Sequence, residues 1–196
     1  PAKAAAKKAA RPTRAELEAS AAKTVKDVIG PGLRVLFCGI NPGLWTSFTG
    51  HHFAGPGNRF WKALHLGGFT PRVLKPAEKA ELLEYGVGIT NVVPRATATA
   101  AELSPAEYVA GGKRLVAKIR KHEPRALAVL GLGAYRAAFG HAAATVGEQA
   151  DRIGRTRVWV MPNPSGLNQN YSLEQMGRMF AELREAVGLP DLRDRG

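Results

Sequence analysis

A chain of 196 residues has the length of one domain rather than two. Its single cysteine, Cys38, excludes an internal disulfide and every thiolate-based zinc or iron–sulfur site, and no stretch approaches the roughly 18 apolar residues of a membrane-spanning helix. With 28 Lys and Arg against 16 Asp and Glu, the net charge of +12 points to a polyanionic partner, nucleic acid ahead of a membrane surface.

At the N-terminus, Pro1 to Arg14 carries Lys3, Lys7, Lys8, Arg11 and Arg14 with no acid and no apolar stretch. It reads as a flexible basic arm and not as a secretory signal. A solvated tail and a nucleic-acid contact are both open for it. Thr13 and Glu16 form a capping-box pattern that predicts a helix stopping at Gly30-Pro31. Short apolar runs predict strands at Val35–Gly39, Val87–Val93, Ala126–Leu130 and Val158–Met161. Helices are expected from Asn58 to Gly67-Gly68, from Lys75 to Gly86, from the capped Ser104-Pro105 to His122, and over Ala134–Phe139. A last one runs from Ser172 to Val187, with Leu173, Met176, Phe180, Leu183 and Val187 on one stripe. Continuous apolar strands alternating with helices imply a mostly parallel sheet covered on both faces. The expected fold is α/β: a three-layer α/β/α sandwich around a short, mostly parallel sheet of four to five strands. Residues 15–196 then form one domain with its core at 31–187, and 1–14 the arm.

In such sheets ligands bind beyond the carboxyl ends of the strands. There the sequence offers G-I-N-P-G-L (Gly39–Leu44), Asn91, and P-N-P-S-G-L-N (Pro162–Asn168). Leu33 to Ala77 contains no Asp and no Glu, so this loop-rich part of the chain has no carboxylate base. Asn41, between Gly39 and Gly43, can orient a water but abstracts a proton poorly. That suits a reaction whose leaving group departs early as an anion. Standing alone, the segment is equally a tight strand-to-loop turn. Phe53, in the Gly-rich stretch His51–Phe60, offers a stacking platform for a base, whereas Phe60 and Trp61 sit at helix spacing and read as core.

Taken together, G-I-N-P-G-L, then F-A-G-P-G-N-R-F-W (Phe53–Trp61), then N-P-S-G-L (Asn163–Leu167) resemble the mismatch-specific uracil-DNA glycosylase family. That family belongs to the uracil-DNA glycosylase superfamily and is related to thymine-DNA glycosylases. The resemblance runs from Pro31 to Val187 with order and spacing intact. It implies the superfamily's α/β/α sandwich. It also implies an enzyme of base excision repair that flips uracil, preferably opposite guanine, out of duplex DNA. The enzyme then hydrolyses the N-glycosidic bond to leave an abasic site. Under it, Asn41 matches the asparagine that positions the attacking water, and Phe53 the aromatic that stacks on the flipped base. Backbone N–H groups around Ile40 and Gly43, and that of Phe53, would hold the uracil carbonyls. Asn163 matches a pocket residue, and Gly166, Leu167 and Asn168 the wedge that fills the vacated stack and reads the opposite strand. Asn91 is a further substrate-contact candidate at a position where the family varies. Trp45 stands where relatives often carry small residues; it either narrows the pocket or packs outward. The implied protein is a cytoplasmic, nucleoid-associated bacterial monomer acting on uracil-containing or mismatched double-stranded DNA. It is expected to be monofunctional and to need no cofactor, metal or membrane.

Three rival readings remain. Gly131-Leu132-Gly133, with Asp151 twenty residues on, has the outline of a dinucleotide fingerprint, although close helix–strand packing explains it better. The histidines (His51, His52, His65, His122, His141) lack metal-ligand spacing, and His51-His52 reads as a solvated loop. A non-catalytic module that binds DNA lesions would use the same loops and charge.

Overall fold

In the computed structural model, which describes residues 11–195, the apolar runs form β1 (Val35–Gly39), β2 (Val87–Asn91), β3 (Ala126–Leu130) and, after β4 (Gly147–Ile153), β5 (Thr156–Met161). They make one sheet in the order β2-β1-β3-β5-β4. β1 pairs in parallel with β2 and β3, and β3 with β5, while β4 lies antiparallel at the β5 edge. Every residue of β1 and β3 is buried, as strands covered on both faces must be, and this explains their unbroken apolar sequence.

Strand alternation sorts β1 between two cores. Val35 and Phe37 face α3 (Phe60–Leu66) and α6 (Leu173–Ala186), where Phe37 stacks on Phe180 at 5.1 Å and meets Phe60 edge-on at 5.5 Å. Leu36 and Cys38 face the opposite layer, α4 (Pro105–His122) and α5 (Leu132–Phe139), among Leu115, Ile119 and Tyr135. Removing a ring as enclosed as Phe37's costs roughly 3–5 kcal/mol in a rigid core. The layers are those expected, and α4 begins and ends on its expected residues, with Ser104 capping and Pro105 in the first turn. On α6, Met176, Phe180 and Leu183 of the apolar stripe are buried.

Four elements differ from expectation. The helix opened by the Thr13–Glu16 capping box, α1 (Arg14–Ala19), stops after six residues instead of reaching Gly30. The Ser20 hydroxyl donates to the Leu17 carbonyl at 2.6 Å, and downstream Val28 pairs with Ile89 as a bridge. An unforeseen helix, α2 (Leu44–Thr49), follows the first motif; its Ser47 hydroxyl donates to the Ser20 and Lys23 carbonyls and ties the two short helices together. Pro76–Tyr85 is a 3₁₀ helix, not α. With three residues per turn, Glu78 and Glu81 share a face, and Arg72 bonds both at 2.8 and 2.9 Å. The fourth is β4, a polar edge strand closed by a turn at Gly154 (φ 61°) and by Arg157–Glu148 at 2.6 Å. Its register shift between Glu148 and Arg152 blunts the edge against further pairing. Lys3, Lys7 and Lys8 of the expected arm lie outside the described residues.

Candidate active site

Beyond the carboxyl ends of β1, β2 and β5 the chain folds back three loops around a cleft of about 880 Å³. Ile40, Asn41 and Gly43 enter from the β1 side, Phe53 from the Gly-rich loop, and Asn91 from the end of β2. Asn163, Gly166, Leu167 and Asn168 close it from the loop after β5. Residues named from three distant segments therefore share one crevice. Among the described residues no Asp or Glu lines it, and the one titratable side chain there is His52.

Asn41 is fixed by groups on another segment. Its Nδ2 donates to the Arg95 carbonyl at 2.9 Å and to the Thr97 hydroxyl at 2.7 Å. The Thr97 N–H in turn donates to the Pro42 carbonyl at 3.1 Å, so residues 95–97 splint the motif. With both amide hydrogens committed, Oδ1 is left as the acceptor, unbonded among the described residues. Thr97 was not legible in the sequence, because A-T-A-T-A carries no motif signal. The N–H groups of Asn41, Gly43 and Phe53 likewise have no acceptor among the described residues.

Phe53 has φ 54°, a conformation costly for an aromatic residue and typical of positions shaped by function. Its ring stacks on Phe60 at 4.2 Å and 28°, which leaves the other face to the cleft. Glycine at 39 is required by the same contacts: a Cβ there would stand 2.6 Å from Asn91 Oδ1 and 3.2 Å from the Phe53 ring. Asn91 thus lies against the platform. Trp45 lines the cleft as well, with the Arg11 guanidinium 5.8 Å from its ring centroid.

The loop after β5 is braced internally. Asn163 Oδ1 accepts the Ser165 N–H at 3.0 Å, and Asn168 Nδ2 donates to the Asn163 carbonyl at 2.9 Å. Asn168 Oδ1 accepts the Asn170 N–H at 3.2 Å, so this side chain is turned into its own loop. Leu167 is 88% exposed at the tip, the most exposed large apolar residue described. A Cβ on Gly166 would come within 2.6 Å of the Gly57 carbonyl, so the two loops touch backbone to backbone. Arg59, another residue sequence reasoning passed over, donates to three carbonyls of this loop.

His52 is not in a solvated loop. It is 1% exposed, with Nε2 facing the Lys26 carbonyl at 2.9 Å, and its own carbonyl accepts Trp61 Nε1–H at 3.1 Å. Burial holds its pKa below the usual histidine value, so it is neutral at pH 7. Cys38 is buried in the sheet, where desolvation pushes its thiol pKa up and leaves it inert. The dinucleotide outline dissolves. Gly131 has φ 141° and packs against Ile40, while Asp151 sits on antiparallel β4, 3.4 Å from His141. No group of three or more His, Cys, Asp or Glu among the described residues has metal-ligand geometry, and no helix among them is long and apolar enough to cross a membrane.

Comparison with known proteins bears on the family and the fold. The family model described as the uracil DNA glycosylase superfamily matches residues 27–187. The fold is similar to the solution NMR structure of a candidate uracil DNA glycosylase from Methanosarcina acetivorans, with a TM-score of 0.56 at 16% identity. That match covers 83% of this chain and 98% of the other.

Proposed function

Since the chain belongs to the uracil DNA glycosylase superfamily, we propose that it removes uracil from duplex DNA, with preference for uracil opposite guanine, leaving an abasic site. The observation that carries this reading is Asn41: an amide held by two donor bonds, its Oδ1 free, in a cleft that no carboxylate lines. Uracil suits such a site because it departs as a stabilised anion, so the nucleophile needs orientation more than activation.

On this reading the flipped uracil lies on the open face of Phe53. Asn41 Oδ1 accepts a hydrogen bond from a water and directs its lone pair at the sugar C1′. As the N-glycosidic bond breaks, its electron pair goes to the base, the water oxygen bonds to C1′, and the proton it sheds passes to solvent. The unengaged N–H groups of Gly43 and Phe53 are suited to the charge developing on the uracil carbonyls, an arrangement of the oxyanion-hole type. Ile40, Asn91 and Asn163 supply the remaining walls, with Asn163 Nδ2 and the Asn91 amide as the side-chain hydrogen-bonding groups. Leu167 enters the gap left in the stack, which offsets part of the few kcal/mol that flipping costs. A G·U pair opens more cheaply than A·U, which favours the mismatch. The excess of basic residues serves the phosphates.

The test is a panel of duplexes (G·U, A·U, G·T, G·ethenocytosine) and single-stranded uracil DNA, scored for alkali-labile abasic sites. Fastest cleavage of G·U is the expected result. Tight binding of G·U duplex without any abasic product would replace this reading with a non-catalytic lesion-binding module.

A further inference from the structure

Arg59 is the N-cap residue of α3, next to Phe60 and Trp61, which are buried in the core. Its Nη1 donates to the Tyr171 carbonyl at 2.7 Å, and its Nη2 donates to the carbonyls of Ser165, at 3.2 Å, and Asn168. Its backbone N–H donates to the Pro164 carbonyl at 2.9 Å. One residue therefore gathers four carbonyls of the segment 164–171. No acid lies within ion-pair distance of Arg59 among the described residues, so Nη1 and Nη2 are committed to the loop, while Nε is buried without a partner.

We propose that Arg59 is the positioning residue of this loop: by drawing its carbonyls inward it holds Leu167 outward in a fixed presentation to the DNA stack. The proposal rests on the reading of Leu167 as the wedge. An exposed leucine finds no partner in the free protein, so its direction is set by its backbone, and that backbone is hung on α3. The planar guanidinium suits this task because its fork reaches several acceptors at once; a lysine ammonium brings three donors from a single nitrogen and cannot span carbonyls so spread. A loop ordered before DNA arrives avoids the entropy of ordering it at each flip.

The experiment is a double-mutant cycle on G·U duplex under single-turnover conditions, with wild type, Arg59→Lys, Leu167→Ala and the double variant. Misplacing a group by an ångström typically costs about 100-fold, so Arg59→Lys should lose about 10- to 100-fold. The double variant should be no slower than Leu167→Ala alone, because a wedge already removed cannot be misplaced. Amide hydrogen exchange should accelerate in residues 163–171 of Arg59→Lys while the sheet stays protected. Losses that multiply, a wild-type rate for Arg59→Lys, or unchanged exchange in the loop would each overturn the proposal. If the wild-type protein makes no abasic product, the functional reading fails instead, and the exchange pattern still decides whether Arg59 orders the loop.

Discussion

Replacing Asn41 with alanine separates a catalytic role from a structural one by magnitude. The side chain makes two hydrogen bonds, one to the carbonyl of exposed Arg95 and one to the buried Thr97 hydroxyl. At about 0.5–1.5 kcal/mol net per bond, and with water replacing the partner at Arg95, Asn41→Ala should cost about 1–2 kcal/mol of stability. In a domain of this size that lowers Tm by about 2–8 °C. Against a typical stability of about 5–15 kcal/mol, the variant remains well over nine-tenths folded at 25 °C. Unfolding therefore cannot account for a rate loss of even twofold. Loss of one preorganised polar group at the reaction centre costs about 10²–10³ in rate. Single-turnover excision from G·U duplex at 25 °C, at saturating protein, should fall by that factor with binding nearly unchanged. Thr97→Val, which removes the acceptor that orients the amide, should give a smaller loss of the same kind. A folded, DNA-binding Asn41→Ala protein cutting at the wild-type rate would refute the role and move attention to Asn91 and Asn163.

Leu167→Ala should slow excision from duplex far more than from single-stranded uracil DNA; equal losses on both substrates would argue for a packing role instead. His52 is buried with its pKa held down, so its contribution to stability is full above about pH 6.5 and declines as pH falls through its folded pKa. Thermal melts from pH 8 to pH 5 should show that decline, and a His52→Gln variant should lose it; an unchanged pH dependence in the variant would place the cause elsewhere. Excision should persist in excess EDTA, because among the described residues no acid or cysteine lines the cleft and the chain has one cysteine; loss of activity that added metal restores would contradict this. If Lys3, Lys7 and Lys8 touch phosphates, deleting residues 1–10 should reduce the salt slope of duplex binding by about 0.9 for each phosphate no longer neutralised; an unaltered slope makes the segment a bystander.

Much of the architecture was legible because β1 and β3 are covered on both faces and apolar throughout, and β2 and β5 carry apolar runs at Val87–Ile89 and Val158–Met161. β4 escaped for the converse reason: one edge and one face meet solvent, so Gly147–Ile153 can be almost wholly polar. α2 was hidden because its Thr- and Ser-rich sequence favours other conformations locally, and its Ser47 hydroxyl finds partners only once residues 20–23 arrive. The truncation of α1 was hidden in part because the Val28–Ile89 bridge downstream of it is a long-range pairing. Within the cleft, residues carried by short motifs could be named in advance. Thr97 lies in no motif, and Arg59, although inside F-A-G-P-G-N-R-F-W, showed no role there, since both act by holding segments that lie more than 50 positions away.

The aromatic contacts described for the core and for the cleft are continuous. Phe180 on α6 stacks on Phe37 of β1, Phe37 meets Phe60 of α3, and Phe60 carries Phe53, whose far side is the cleft's floor. A guest ring lying on Phe53 would thus end a chain of aromatic contacts, face to face except at the edge-on Phe37–Phe60 step, that begins on α6. Close-packed interiors transmit strain rather than absorb it. A change of ring size at Phe180, more than a hundred residues from Phe53, would therefore arrive at the cleft as a tilt of the surface on which the guest rests.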